Sequence, residues 1–475
     1  MLSDKQNKNI LLILWGIFSS LIGYFKFVHH ELWKDEWQAW FVAKDKTLTE
    51  ILSFLYYEGH PALWYLYLKP FTLVSDFIDA VRLISVAHMF TVIAGLYFLF
   101  VKFRIPVLLK VLFAFSYCVF FEYGIVNRGY FLVLLFVFWA AWLLSQQDYS
   151  KKQLGVVLFL LCQTEVYGTI MAIALGVYIL VTEGINLASL KSKSILGLTT
   201  GILIFIVSVF PRSSGHVAKT NGKESGLTDK ILTAFQGNLS NTYMVGSTDD
   251  TFSYGWTGIG IFLSTLCLIG LWYLYHKSRP LTITLGLFVL TMIIFSAFIF
   301  LGGIRQWGMG FVFLIALTQI RGLDIKREKI STAILIIFCL FNLFHGLKAI
   351  REEINIPFTN AKEAGNFIKE KVPKKVPIVA INKFESTPVI GYAGRKFFEL
   401  PDGIEFSYFK WVDKIYFPTE SELKLFGKFK GVGGLIILAP KPLDPDRFPA
   451  VQLWQKFDAP NYKRENYFIY TLSVK

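Results

Sequence analysis

Apolar residues fill the first 347 positions in long blocks separated by short polar loops, and beyond them the pattern changes. Eleven blocks stand out, at 10–28, 82–102, 106–121, 129–146, 153–167, 168–185, 195–211, 255–275, 281–301, 304–320 and 330–347. A helix that crosses a hydrocarbon core needs about 20 mainly apolar residues. The pattern therefore predicts a polytopic α-helical membrane protein with about eleven transmembrane helices. The stretch 61–75 is apolar but short, and Lys69-Pro70 interrupts it, which predicts a helix lying along the interface. Eleven of the sixteen prolines lie beyond residue 350, where long apolar runs cease. There PIVAIN (377–382), GLIILAP (434–440) and YFIYTLSV (467–474) read as strands. Asn360 with Glu363, and Thr419 with Glu422, have the spacing of helix starts. The layout expected is a membrane domain at 1–347, with long outer loops 29–81 and 212–254, followed by a small C-terminal α/β extracytoplasmic domain at 348–475. No internal repeat is present.

Composition agrees with this division. The 475 residues are 54% hydrophobic and 17% charged, where a soluble domain carries about a quarter charged residues. A net charge of +14 would suit a nucleic-acid partner, but its distribution excludes one. The excess lies in short loops that carry Lys102 and Arg104, Lys151 and Lys152, Lys191 and Lys193, Lys277 and Arg279, and Arg321, Lys326, Arg327 and Lys329. The alternate turns near 122–128, 164–168 and 301–304 hold one basic residue, Arg128. With Lys5 and Lys8 before the first span, this asymmetry predicts a cytoplasmic N-terminus and an extracytoplasmic C-terminus. The first block lacks a small-residue cleavage site and is expected to stay as a helix. Cys118, Cys162, Cys267 and Cys339 all fall in apolar blocks, so no disulfide framework is expected.

Candidate chemistry gathers on the predicted outer side. Asp35-Glu36 follows the first span among Trp33, Trp37 and Trp40. Carboxylates there can act as a general base or hold a divalent cation, and the tryptophans suit an aromatic anchor at the headgroups. Glu58-Gly59-His60-Pro61 reads either as a turn or as an acid–histidine pair that serves a metal or an acceptor. Arg128 and Arg305 begin spans, where an arginine either snorkels or presents its planar fork to a phosphate. Glu165 sits in a tight turn, as a second acid or as a solvated one. His216 and Asp249-Asp250 are weaker candidates, and Asn238-Leu239-Ser240 is a glycosylation sequon. Neither a P-loop nor a Rossmann glycine fingerprint occurs, which argues against direct nucleotide coupling.

Taken in order, Asp35-Glu36, HPALWYLYL from His60, RLISVAHMFTVIAGLYFLF from Arg82 and NRGYFLVLLF from Asn127 resemble the GT-C class of integral-membrane glycosyltransferases. The similarity is to the branch of protein O-mannosyltransferases and bacterial lipid A aminoarabinose transferases. The run from NAKEAGNFIKEKVPKKVPIVA to VIGYAGRKFFELPDG is similar to the outer domain of bacterial members. The resemblance implies a hexosyl- or pentosyltransferase that takes a sugar from a polyprenyl-phosphate donor to a lipid, glycan or protein acceptor, among membrane lipids. It implies Asp35 and Glu36 as the catalytic first-loop acids, and Arg128, Tyr130 and Arg305 as the donor phosphate site. Glu58, His60 and Glu165 fall at a metal or acceptor position. Ala62 departs from the family, standing where a second proline is common. The class has members with and without a divalent metal ion, and the metal question stays open here. The setting expected is a bacterial cytoplasmic membrane. The rival readings are a transporter or a ligase of lipid-linked glycans.

Overall fold

The computed structural model describes residues 4–75, 79–209, 226–245, 257–324, 327–411 and 413–474. Each of the eleven apolar blocks contains helix, and the protein is a polytopic membrane protein with a small sheet-bearing unit. The count of eleven spans does not carry over. Six helices among the described residues are long and apolar enough to cross a membrane: Lys8–Val28, Ala80–Lys102, Val166–Glu183, Gly258–Tyr275, Arg279–Phe298 and Lys329–Asn355. A seventh is obtained if Val107–Ala114 and Tyr117–Ile125, bent by 47° at their junction, form one span. The remaining blocks are shorter as helices than as apolar sequence. Lys151–Cys162 has 12 residues, about 18 Å at 1.5 Å per residue, against a core of about 30 Å. The stretch at 61–75 forms the ten-residue helix Leu63–Thr72 with Pro70 inside it, too short to span.

The chain divides into two compact units. The first comprises Met1–Phe25, Leu52–Trp64 and Ser85–Arg351. Its helices approach closely where side chains vanish. Gly197 and Gly201 form a GxxxG step, and a Cβ on Gly197 would lie 2.2 Å from the carbonyl oxygen of Gly155 on the neighbouring helix. Gln163 donates to the carbonyl of Gly201 at 2.9 Å, which fixes the same crossing. Lys110, inside an apolar block, and Glu122, in the turn that follows it, are both buried. Lys110 Nζ donates to the carbonyl of Phe100 at 2.8 Å, the partner a buried ammonium requires. The expected outer loop 212–254 is helical over its described part, as Leu227–Gln236 and π-helical Gly237–Val245. Within it the sequon Asn238 is buried, and its amide donates to Ala234 and Ser296, so it is no surface acceptor. His216 and Asp249-Asp250 lie outside the described residues. All four cysteines are free and buried.

The second unit comprises Lys26–Ile51, Tyr65–Ile84 and Glu352–Lys475. Its core is a six-stranded sheet in the order β3-β2-β1-β4-β6-β5, with β1 (Ile378–Ala380), β2 (Phe397–Glu399), β3 (Ile404–Phe406), β4 (Gly434–Ala439), β5 (Val451–Phe457) and β6 (Tyr467–Ser473). β1 runs parallel to both β2 and β4, and the other pairs are antiparallel. Side chains alternate across the sheet with the period of two that strands impose. Ile378, Ala380, Ile436 and Leu438 face helices Ala361–Lys371 and Lys383–Ala393. Val379, Ile381, Leu435 and Ile437 face helix Glu420–Phe429. Thr419 and Glu422 form the expected capping box. Asn360 stands at the start of its helix but does not cap it; its amide donates to the carbonyls of Phe457, Ala459 and Glu465.

Helix Lys34–Asp45 packs through Trp37 and Trp40 onto Leu32, Leu83 and Ile84, and through Trp37 onto helix Lys383–Ala393. The contact is backbone-close: a Cβ on Gly391 would lie 2.2 Å from the Trp37 ring. Gly391→Ala is expected to force this helix pair apart and lower stability by about 1–3 kcal/mol. The check is thermal unfolding of the purified protein, and an unchanged midpoint would show that the two helices do not meet there.

Candidate functional site

The residues singled out from the sequence fall into two polar clusters, one in each unit. In the first unit the chain opens into a π-helix at Tyr117–Ile125, a geometry that recurs at functional sites. It carries Glu122, which the sequence reading missed. Arg305 Nε donates to Glu122 Oε1 at 3.0 Å, and Tyr117 Oη donates to Glu122 Oε2 at 2.8 Å. Tyr123 Oη donates to the carbonyl of Arg305 at 2.7 Å. This fit requires Gly308, where a Cβ would fall 2.8 Å from Tyr123 Oη. Tyr123 and Tyr130 pack with ring centroids 5.7 Å apart. Gln306 donates to Tyr130 Oη at 3.1 Å, and the Arg128 guanidinium stands 5.4 Å from the Tyr130 ring centre. Arg128 and Arg305, from blocks far apart in sequence, thus belong to one cluster, Arg128 at the Tyr130 ring and Arg305 on Glu122 and Tyr123.

His60 and Glu165 adjoin this group. His60 Nδ1 and Glu165 Oε2 are 2.7 Å apart, and Glu165 is buried rather than a solvated turn residue. Gly129, between Arg128 and Tyr130, lies against Trp64 and Glu165. Burial alone would push the His60 imidazole down, but Glu165 outweighs it and raises its pKa, with Arg128 opposing and Glu58 assisting. Glu58 is buried at the end of helix Leu48–Glu58. The facing atoms of His60 and Glu165 are spent on each other. Among the described residues no three His, Cys, Asp or Glu side chains are grouped so as to hold a metal ion.

In the second unit the Asp35-Glu36 pair divides. Both acids lie in the first turn of helix Lys34–Asp45, where the helix dipole favours negative charge. Glu36 is 1% exposed, and Asp35 is partly exposed. Glu36 Oε2 accepts from the backbone N–H of Trp33 at 3.0 Å, closing the helix start, and its Oε1 faces His30 Nε2 at 3.0 Å. His30 Nδ1 faces Glu353 Oε1 at 2.8 Å. Neutral imidazole carries one N–H, so a ring flanked by two carboxylates satisfies both only as imidazolium. Burial would lower the His30 pKa, but Glu36 and Glu353 overcome it and raise it to about 9. Buried Lys26 lies in the field of the same two carboxylates. Lys34 pairs with Glu385 at 2.9 Å, and Glu31 with Lys362 at 3.2 Å. The geometry makes Glu36 a positioning residue and leaves Asp35 as the acid with access to solvent. His30 and Glu353 were missed: His30 reads as a polar flank of the span, and its partner Glu353 is 323 residues away.

No protein-family model matches the sequence, and no curated protein is significantly similar to it. Among solved structures the chain is similar to ArnT from Cupriavidus metallidurans, crystallised with undecaprenyl phosphate, at 10% identity and a TM-score of 0.51 over 97% of each chain. The fold expected from the sequence resemblance, that of the GT-C class, is therefore the fold of this chain. A second match, arabinofuranosyltransferase AftD from Mycobacteria, has 10% identity and a TM-score of 0.40 over 98% of this chain and 40% of that longer one.

The His30 cluster has a pH signature. A histidine whose folded pKa is raised adds stability that is complete below its unfolded value of about 6.5 and is lost as pH climbs through the folded value. With the folded value at about 9, the thermal midpoint is expected to fall between about pH 7 and about pH 10. His30→Gln is expected to lower the midpoint at neutral pH and flatten that fall. An unaltered pH profile in the variant would refute the charged assignment.

Proposed function

We propose that this protein is a glycosyltransferase that moves one sugar from a polyprenyl-phosphate carrier to a lipid, glycan or protein acceptor at the outer face of a bacterial cytoplasmic membrane, with the N-terminus in the cytoplasm. The observation that carries the proposal is the cluster in which the Arg128 guanidinium faces the Tyr130 ring while Arg305 is held by Glu122 and by Tyr123, whose ring packs on Tyr130. Arg305 commits its Nε–H to Glu122, which orients the guanidinium plane. A guanidinium has five donors in a rigid fork that matches phosphate oxygens. Fixed donors of this kind stabilise the charge that grows on a leaving phosphate without having to reorganise. Glu165 raises the pKa of His60 beside the same cluster, which favours its charged form. The fold shared with a protein crystallised with undecaprenyl phosphate supports a lipid-phosphate donor.

In the step proposed, the bond between the anomeric carbon and the phosphate oxygen breaks, and its electron pair leaves on the phosphate. The acceptor oxygen or nitrogen bonds to the anomeric carbon and gives its proton to the Asp35 carboxylate. The product is an inverted glycoside and a polyprenyl phosphate. Glu36 takes no proton; it fixes the helix turn that presents Asp35. The sugar is a hexose or a pentose.

The first test supplies radiolabelled polyprenyl-phosphate sugars and a membrane extract to the purified protein. Transfer of a single sugar is expected, and Asp35→Asn is expected to abolish it while the thermal midpoint stays near that of the parent. Loss of folding in step with activity would overturn the role of Asp35. Movement of a whole glycan, or flipping without transfer, would favour the ligase or transporter. Arg128→Lys and Arg305→Lys are expected to raise the donor KM roughly tenfold, because a point charge cannot reproduce the bidentate fork. An unchanged donor KM would refute their phosphate role.

A further inference from the structure

Helix Lys34–Asp45 is followed along its length by the segment 407–411. Ser407 Oγ donates to Asp45 Oδ2 at 2.5 Å, and the Lys46 ammonium stands 4.9 Å from the Tyr408 ring centre. Gln38 then clamps Phe409 with two bonds, Nε2 to the Phe409 carbonyl at 2.7 Å and Oε1 from the Phe409 N–H at 3.2 Å. The segment thus runs from the C-terminal end of the helix towards its start. Trp411 follows at the turn closed by the Asp413 N–H on the Lys410 carbonyl at 2.9 Å, two residues beyond Phe409, which is held by Gln38 on the helix face that Gln38 shares with Asp35.

A second path reaches the same place. Glu385 pairs with Lys34, and the adjacent Phe384 packs against both Phe409 and Trp411, with ring centroids 4.6 and 6.0 Å apart. Trp411 meets Phe409 edge-on at 4.8 Å and keeps part of its surface exposed. Its seat is rigid. Lys410 N–H donates to Asp413 Oδ2 at 2.8 Å, and Lys383 binds both Asp413 and Glu399.

We infer that Trp411 forms an acceptor-side subsite that takes a sugar ring, with Phe384 and Phe409 as its backing. This rests on the proposed role of Asp35 as the base. An indole offers a broad face of negative quadrupole, which suits the weakly positive C–H face of a pyranose or furanose. The surroundings are polar: Lys34 pairs with Glu385, and Lys383 with Asp413. An acyl chain on the same face would desolvate those charges without repaying them. A hydroxyl of a sugar stacked on Trp411 lies on the side of the first turn where Asp35 can take its proton. The acceptor class is therefore a glycan.

The test has one arm that needs no transfer. The protein is produced with 5-fluorotryptophan, and the Trp411 resonance, one of twelve, is identified by its absence in Trp411→Phe. Methyl β-glucopyranoside, methyl β-galactopyranoside and methyl N-acetyl-β-glucosaminide are titrated against the protein in nanodiscs, with glycerol as control. A saturable shift of that resonance with at least one glycoside, absent with glycerol, is expected. No saturable shift, or an equal one with glycerol, overturns the subsite even where transfer proceeds. The second arm is kinetic. Trp411→Ala is expected to raise the acceptor KM about tenfold, a loss of about 1.4 kcal/mol, with the donor KM unchanged and Trp411→Phe restoring most of it. Equal losses for donor and acceptor, or none, would refute the assignment. A wild-type protein that binds the glycosides but transfers nothing would refute the proposed reaction and leave the subsite standing.

Discussion

A buried imidazolium between two carboxylates organises the second unit. Moving a charge out of water costs several kcal/mol, and attraction offsets this only where geometry and remaining hydrogen bonds are good. His30 meets that condition, because both of its N–H groups point at carboxylate oxygens 2.8 and 3.0 Å away. Removing either acid would strand a buried charge, at a cost of about 3–5 kcal/mol. The arrangement joins positions 30 and 36 to position 353, so two distant stretches of chain are specified together. Its effect reaches the proposed chemistry through one further bond. Glu36, held by His30, accepts from the N–H of Trp33 and so defines where the helix begins. Asp35 lies inside that first turn, so the bonds of Glu36 set its backbone.

The sequence made some of this legible and hid the rest for physical reasons. Long-period features were visible: apolar blocks showed as helices, and β1, β4 and β6 showed as β-branched and aromatic runs, since both patterns average over many residues. β2 and β3 have three residues each, too few for a period to register. β5 is an exposed edge strand with no apolar face to betray it. Helix lengths were hidden because an apolar run does not reveal where its helix stops; Lys151–Cys162 ends before Gln163 and Glu165, which turn inward to bind Gly201 and His60. Asn360 misled in the opposite way. Its spacing is that of a cap, but three carbonyls from the far end of the chain claim its amide.

The candidate site shows the same limit more sharply. Arg128, Tyr130, Arg305, His60 and Glu165 were identifiable as residue types suited to phosphate and acid–base work, and the first unit brings them into one cluster. What sequence alone could not supply was the partner of each. Glu122 sits in YCVFFEYG, where an acid among aromatics is itself a signal, because a carboxylate in such surroundings needs a cation. Arg305 is that cation, 183 residues away. The Asp35-Glu36 pair looked like one chemical unit because its members are adjacent. In a helix, neighbours point 100° apart, so adjacency is a reason for such residues to have different surroundings.

That division bears on how catalysis would be organised. Electrostatic stabilisation is effective when dipoles and charges are already in place as charge develops. In each cluster the group proposed to meet substrate is held by a residue that does not. Glu122 orients Arg305, Glu165 raises the pKa of His60, and Glu36 sets the turn under Asp35. The holding residues are buried, whereas Asp35 retains access to solvent. A carboxylate that is to take a proton must reach the acceptor that gives it, and burial of the kind that holds Glu36 would deny it that contact, so the division of the pair suits a base at position 35 and a holding acid at position 36.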